Sequence, residues 1–205
     1  MNTTTEIEPQ LVKQLREKTN AGFMDCKRAL VESGGDLSKA EAILRTKGIT
    51  SAGKKSSRVT KEGIVASYIH LQGKVGVLVE VNCETDFVAR NENFREFVKD
   101  ITLHIAAAHP LYVSRADVPG NLIEAEREIY RVQVKGKPDN VAEKIVEGKL
   151  EKFYSTVCLL EQAFIKNPDV TIKDLLSAKI AELGENILIR RFVRYLVGEP
   201  LLSET

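Results

Sequence analysis

Residues 64–91 read IVASYIHLQGKVGVLVEVNCETDFVARN. Two runs that alternate apolar and polar residues, Ile64–Leu71 and Val75–Asn82, flank Gln72-Gly73-Lys74, the pattern of a β-hairpin. A period of two puts Val75, Val77, Val79 and Val81 on one face. The second strand runs straight into Cys83-Glu84-Thr85-Asp86-Phe87. Beyond Asn91 the period changes. Phe94, Phe97, Val98, Ile101 and Ile105 fall on one helical stripe that must end before Pro110. A strand pair feeding a long amphipathic helix makes the fold mixed α and β.

Upstream, the pattern is helical throughout. Pro9 suits a first turn, with Leu11, Val12 and Leu15 on one face. Residues 1–8 are polar and read as loose. Thr19-Asn20-Ala21-Gly22 interrupts, and a second helix carries Phe23, Cys26, Ala29 and Leu30 until Gly34-Gly35 stops it. Asp36 suits the N-cap of a third helix, with Leu37, Ala40 and Leu44 inward and Gly48 at its end. Residues 51–63 are rich in Ser, Gly and Lys and read as a linker. Arg45 to Lys61 holds six basic residues and no acid.

Downstream, Pro119 opens a helix with Leu122, Ile123, Glu126 and Ile129. Gly136-Lys137-Pro138 breaks it, and Val141, Ile145, Leu150, Phe153 and Val157 form its partner, so 119–157 is a helical hairpin. Thr171-Ile172-Lys173-Asp174 fits a capping box before Leu175, Leu176, Lys179, Ile180 and Leu183, and Gly184 ends that helix. Residues 186–197 alternate again, with Ile187, Ile189, Val193 and Tyr195 facing one way, as a strand that returns to the same small sheet. The reading is α+β. A three-helix head (1–50) joins by a basic linker (51–63) to a core (64–205). That core holds an antiparallel three-stranded sheet against helices.

The composition is that of an ordinary globular chain of 205 residues, 43% hydrophobic and 29% charged. A net charge of +1, no Trp and 6% aromatics give no electrostatic footprint or stacking platform for nucleic acid. Three distant cysteines, Cys26, Cys83 and Cys158, suggest neither a disulfide framework nor a zinc ribbon and favour a reducing compartment. No signal peptide or membrane span is visible, and a cytoplasmic setting is expected.

Few motifs carry chemistry. Gly53-Lys54-Lys55-Ser56 has the wrong flanks for a phosphate loop, and no nucleotide site is expected. His104 and His109 bracket a helix end without metal-ligand spacing, and His70 sits near the hairpin turn. The acidic neighbours of Cys83 work against a thiolate nucleophile. No catalytic residue, cofactor or metal is expected. Thr85-Asp86-Phe87-Val88-Ala89-Arg90-Asn91 admits two readings. The structural one, preferred on the residues alone, has Thr85 or Asp86 capping a helical turn and Phe87 falling into the core. The functional one has Phe87 wedging into a partner's cleft while Asp86 competes for hydrogen bonds there.

Two long segments resemble a known family. Thr19-Asn20-Ala21-Gly22-Phe23-Met24-Asp25-Cys26-Lys27-Arg28-Ala29-Leu30 resembles the N-terminal signature of bacterial translation elongation factor Ts, with Asn20 at its glycine and Phe23 at a methionine position. Glu84-Thr85-Asp86-Phe87-Val88-Ala89-Arg90-Asn91 resembles the second signature. Gly136-Lys137-Pro138, Glu143–Lys149, Gly184-Glu185-Asn186-Ile187 and Arg190-Arg191 fit as well.

The resemblance implies a guanine-nucleotide exchange factor for the GTPase elongation factor Tu, without enzymatic activity of its own. It implies a ubiquitin-associated-like head that meets the partner through Phe23, Met24 and Lys27. It implies that Asp86 and Phe87, with Thr85, Val88 and Ala89, displace Mg²⁺ near the phosphate site, with Leu183 and Gly184 close by. The single core, where longer members carry two subdomains, implies a homodimer through the core. The alternative function is a translation-associated nucleic-acid adaptor using Arg45 to Lys61.

Overall fold

The computed structural model describes residues 7–19 and 21–200. The loose segment expected at 1–6, and Asn20 within the first interruption, lie outside the described residues. The architecture is α+β, with a three-stranded antiparallel sheet ordered β1-β2-β5 among helices. The strands are β1 (Glu62–His70), β2 (Val75–Cys83) and β5 (Ile187–Leu196). The chain divides into two compact units that are not consecutive in sequence. One comprises the residues up to 64 with 81–97 and 174–188; the other comprises 65–80, 98–173 and the residues from 189. This differs from a head, linker and core in succession. The segments around 85 and 185 group with the head, because long-range hydrogen bonds join them to the end of its third helix.

In the first unit, α1 (Pro9–Thr19), α2 (Phe23–Glu32) and α3 (Leu37–Lys55) form the head. Val12, Leu15, Cys26, Ala29, Leu30 and Ala40 are its buried core, as their helical spacing requires. Asp36 caps α3, its carboxylate accepting from Lys39 N–H at 3.0 Å. The expected stop at Gly48 does not occur; α3 runs on to Lys55, so the first five residues of the expected linker are helix. Gly48 is no left-handed cap. It is buried and faces the backbone of α8 (Ile172–Leu183), a Cβ there lying 3.7 Å from the Ser177 carbonyl oxygen. Arg45 pairs with Asp174 at 2.6 Å, and Lys55 Nζ donates to the Ile180 carbonyl at 3.3 Å. The missing side chain and these two contacts hold α3 along α8, which compensates for the modest helix propensity of its serines and glycines.

Gly63 is required where β1 meets β2. Its φ is +144° and a Cβ would lie 2.2 Å from the Val81 carbonyl oxygen. One-turn helix α4 (Asp86–Arg90) and the start of α5 (Glu92–Ala108) follow β2 in this unit.

In the second unit, the β1–β2 connection Leu71-Gln72-Gly73 has positive φ throughout. Val75, Val77 and Val79 are buried, as alternation predicts, while Val65, Ile69 and Leu78 are exposed. Val98, Ile101 and Ile105 of α5 are buried, and α5 ends at Ala108, two residues before Pro110. The helical hairpin is α6 (Gly120–Gln133) and α7 (Asp139–Val157), closed on Val134, Val146 and Leu150. Its Ile129 and Val141, read as stripe residues, stay exposed. Two short strands, β3 (Ala163–Phe164) and β4 (Asn167–Thr171), pair in a ribbon too brief and polar to show as alternation. Beyond Ile189, β5 departs from the expected single face. Val193 and Tyr195 are exposed and Phe192 and Arg194 are partly buried. The parity changes where Arg190 and Arg191, both exposed, reach Glu80 at 3.6 and 2.7 Å.

Candidate partner-binding site

The segment between β2 and α5 and the turn between α8 and β5 meet in the first unit. Thr85 has extended backbone angles and is the N-cap of α4, its hydroxyl oxygen accepting from Val88 N–H at 3.4 Å. The carboxylate of Glu185 takes three donors from this segment. Glu84 N–H and Thr85 N–H donate to Oε2 at 3.1 and 3.0 Å, and the Thr85 hydroxyl donates to Oε1 at 2.6 Å. Glu84 returns the contact. Its Oε1 accepts from Asn186 N–H at 2.6 Å and from Arg58 Nη1 at 3.4 Å. The buried Asn186 amide donates to the carbonyls of Arg58, at 2.9 Å, and Ser56, at 3.4 Å. Gly184 makes the turn possible, with φ +77° immediately after α8.

What this scaffold presents is Phe87. Its side chain is 78% exposed, while Val88 and Ala89 beside it are buried. The structural reading of Phe87 as a core residue is therefore overturned; a five-residue helix has one inner face, and Val88 and Ala89 occupy it. The other half of that reading holds, since Thr85 does cap a helical turn. Asp86 opens α4 and pairs with Arg90 at 3.0 Å in solvent. Leu183 is half-buried at the end of α8.

Cys83 ends β2, is fully buried, and gives its thiol proton to the Thr85 carbonyl at 3.2 Å. Burial first, and then the Glu185 charge, push its pKa up to about 11. Its surroundings are those of a packed thiol rather than an activated nucleophile. His104 is buried between Gln162, whose Oε1 lies 2.9 Å from Nε2, and Ile165, whose N–H donates to Nδ1 at 3.4 Å. Among the described residues no group of three or more His, Cys, Asp or Glu is placed to hold a metal ion.

On the head, Phe23 and Met24 are 53% and 59% exposed, and Lys27 is exposed. Spacing had set Phe23 on the stripe of Cys26, Ala29 and Leu30, which are buried. As the first residue of α2 it has no preceding turn to lie over, and it projects past that cluster. Of the basic run, Arg45, Lys47, Lys55 and Arg58 all have partners within this unit, so it is largely a structural strip. Sequence reasoning missed Glu84, Glu185, Asn186 and Arg58 as residues that build the site. The first three stand inside motifs it did quote, but the pairing joins positions a hundred residues apart.

The protein-family model for elongation factor TS matches residues 48–199. The protein named elongation factor Ts in Carboxydothermus hydrogenoformans is 61% identical over 200 residues, covering 97% of this chain and 92% of its own length. Its namesake in Thermodesulfovibrio yellowstonii is 60% identical over 194 residues, covering 94% and 97%. That of Geobacter metallireducens is 59% identical over 195 residues, covering 94% and 90%. With both the fold and near full-length similarity in agreement, the chain belongs to the elongation factor Ts family, whose members are translation elongation factors.

Proposed function

We propose that the protein is a guanine-nucleotide exchange factor that binds GDP-loaded elongation factor Tu, displaces Mg²⁺ and GDP, and holds the emptied GTPase until a new nucleotide enters. The observation that carries this reading is Phe87, an aromatic ring left 78% in solvent on a helix whose base is held by hydrogen bonds. A free chain gains nothing from that exposure. A partner with a cleft gains a large apolar contact.

The mechanism is differential binding. GDP is held in a GTPase by backbone donors around its phosphates and by Mg²⁺, which neutralises their charge. A factor that binds both states equally shifts nothing. Phe87 fills space that exists only when the partner's loops have moved, and Asp86 competes for the polar groups around the metal. Thr85, Leu183 and Gly184 complete the contact surface, while Val88 and Ala89, buried beneath it, seat the helix from within. Phe23, Met24 and Lys27 of a ubiquitin-associated-like head dock on the nucleotide domain. The coupling is reciprocal, so excess nucleotide ejects the factor. The reading requires no bond making, cofactor or nucleotide site of the chain's own.

The factor acts in the cytoplasm as a homodimer through its core. The exposed Val65, Ile69 and Leu78 on the open face of the hairpin supply apolar surface for a second copy.

The deciding experiment loads elongation factor Tu with fluorescent GDP and follows release after mixing with the chain and excess unlabelled GDP. Acceleration that saturates with factor concentration supports the reading. Release at the intrinsic rate refutes it.

A further inference from the structure

We infer that Glu185, held in a reciprocal pair with Glu84, is the positioning residue that fixes the direction of Phe87 for its partner. This rests on the exchange-factor reading above.

Helix α4 has five residues, far below the length at which a helix holds itself together. Its own cap is weak, since the Thr85–Val88 bond is 3.4 Å long. Something else must set its angle. Glu185 grips the two residues that precede the helix by both backbone N–H groups and one hydroxyl. Phe87 is two residues beyond the second of those amides. With the backbone at 84 and 85 pinned, the ring is aimed by the first turn of α4 and by the burial of Val88 and Ala89.

The pair is mutual. Each carboxylate accepts from the backbone of the other's segment, so neither segment moves without breaking bonds of the other. Two carboxylates side by side repel, and four donors with one guanidinium offset that repulsion. Arg58 and Asn186 extend the network to the end of α3, so the head's last helix and the Phe87 helix share one set of anchors. A pair that served only to hold two loops together has no reason to converge on the short helix that displays a ring 78% exposed.

The test compares Glu185→Ala, Glu185→Gln, Phe87→Ala and Phe87→Ala combined with Glu185→Ala, all at a temperature where each is folded by circular dichroism. Two readouts are taken. Amide hydrogen exchange at Glu84 and Thr85 in the free chain is expected to speed up about tenfold or more in Glu185→Ala, since those donors lose a charged acceptor. GDP release from elongation factor Tu at saturating factor is expected to slow about tenfold in Glu185→Ala and less in Glu185→Gln, which keeps one acceptor oxygen. In the Phe87→Ala background the same change is expected to alter release less than twofold, because an absent ring cannot be misaimed.

Equal slowing in both backgrounds overturns the inference and assigns Glu185 a general structural role. Faster amide exchange with unchanged release overturns it too, as do unchanged amides. If the wild-type chain fails to accelerate release at all, the exchange-factor reading fails, and the amide data still report separately whether the pair holds the segment.

Discussion

Truncating Phe87 to alanine separates what the ring does for the fold from what it does for the partner. In the free chain the ring is 78% exposed, so its removal leaves folding stability within about 0.5 kcal/mol of the parent. In the complex the ring is expected to be covered. An aromatic side chain buries roughly 150–250 Å² when fully enclosed, and about four fifths of that is still in water here. At about 25 cal/mol per Å², insertion contributes roughly 3–5 kcal/mol. If most of that is realised only in the nucleotide-free state, release at saturating factor slows by roughly 100-fold or more, one decade for each 1.4 kcal/mol. Stopped-flow release of fluorescent GDP from elongation factor Tu measures it, with urea unfolding as the control. Phe87→Leu is expected to fall between, because it keeps apolar area and loses shape. A Phe87→Ala chain that unfolds like the parent and slows release less than threefold refutes the reasoning.

Gly63→Ala places a Cβ 2.2 Å from the Val81 carbonyl oxygen, at a φ that side chains avoid, and is expected to cost about 2–4 kcal/mol or prevent folding, as read by denaturant midpoint. Gly48→Ala behaves oppositely: the new methyl meets the Ser177 carbonyl at an ordinary 3.7 Å, and removing a helical glycine is expected to add about 0.5–1 kcal/mol, whereas Gly48→Leu pushes α3 from α8 and destabilises. His104 is buried, and desolvation lowers its pKa below the ordinary 6.5 in spite of the bond to Gln162. The unfolded chain therefore binds a proton first. Its contribution to stability is whole above about pH 6.5 and falls as pH drops below that value, at no more than about 1.4 kcal/mol per pH unit. Urea midpoints between pH 7.5 and 5 check this, and His104→Gln is expected to flatten the profile.

The elements that were legible in the sequence are those whose periodicity is local. Val75, Val77, Val79 and Val81 had to be one face of a strand, and Phe94, Phe97, Val98, Ile101 and Ile105 one face of a helix. Both are buried as read. What stayed hidden depends on distant partners. Gly48 looks like a stop signal because glycine ends helices by adopting positive φ. Here it lies within α3 with its bare side against α8, which no window of neighbouring residues reveals. The parity change in β5 falls where Arg190 and Arg191 both reach Glu80, more than a hundred positions away. Phe87 was ambiguous for another reason. Hydrophobicity says only that a ring leaves water in some state of the protein. It does not say whether the covering surface belongs to the same chain.

An exchange factor of the proposed kind must solve a conflict. The ring has to be exposed while the chain is free, yet ordering it only on binding would reduce affinity by the entropy of the segment that carries it. A loop would be flexible; a long helix would bury the ring against the core. The chain takes a middle course, with a single helical turn too short to stand alone, seated by Val88 and Ala89 and tied at its entrance by Glu185. The anchors are carboxylates accepting from backbone N–H groups, bonds that fix direction more sharply than apolar packing does. Because Glu84, Arg58 and Asn186 carry the same ties to the end of α3, the head, proposed to dock through Phe23, Met24 and Lys27, does not trail on a free tether. A flexible linker supplies the second contact at an effective concentration near millimolar, whereas a structured one removes most of the ordering cost beforehand. On this view the basic run from Arg45 to Lys61 matters because Arg45, Lys55 and Arg58 tie α3 and the segment after it to acids and a carbonyl of the same unit.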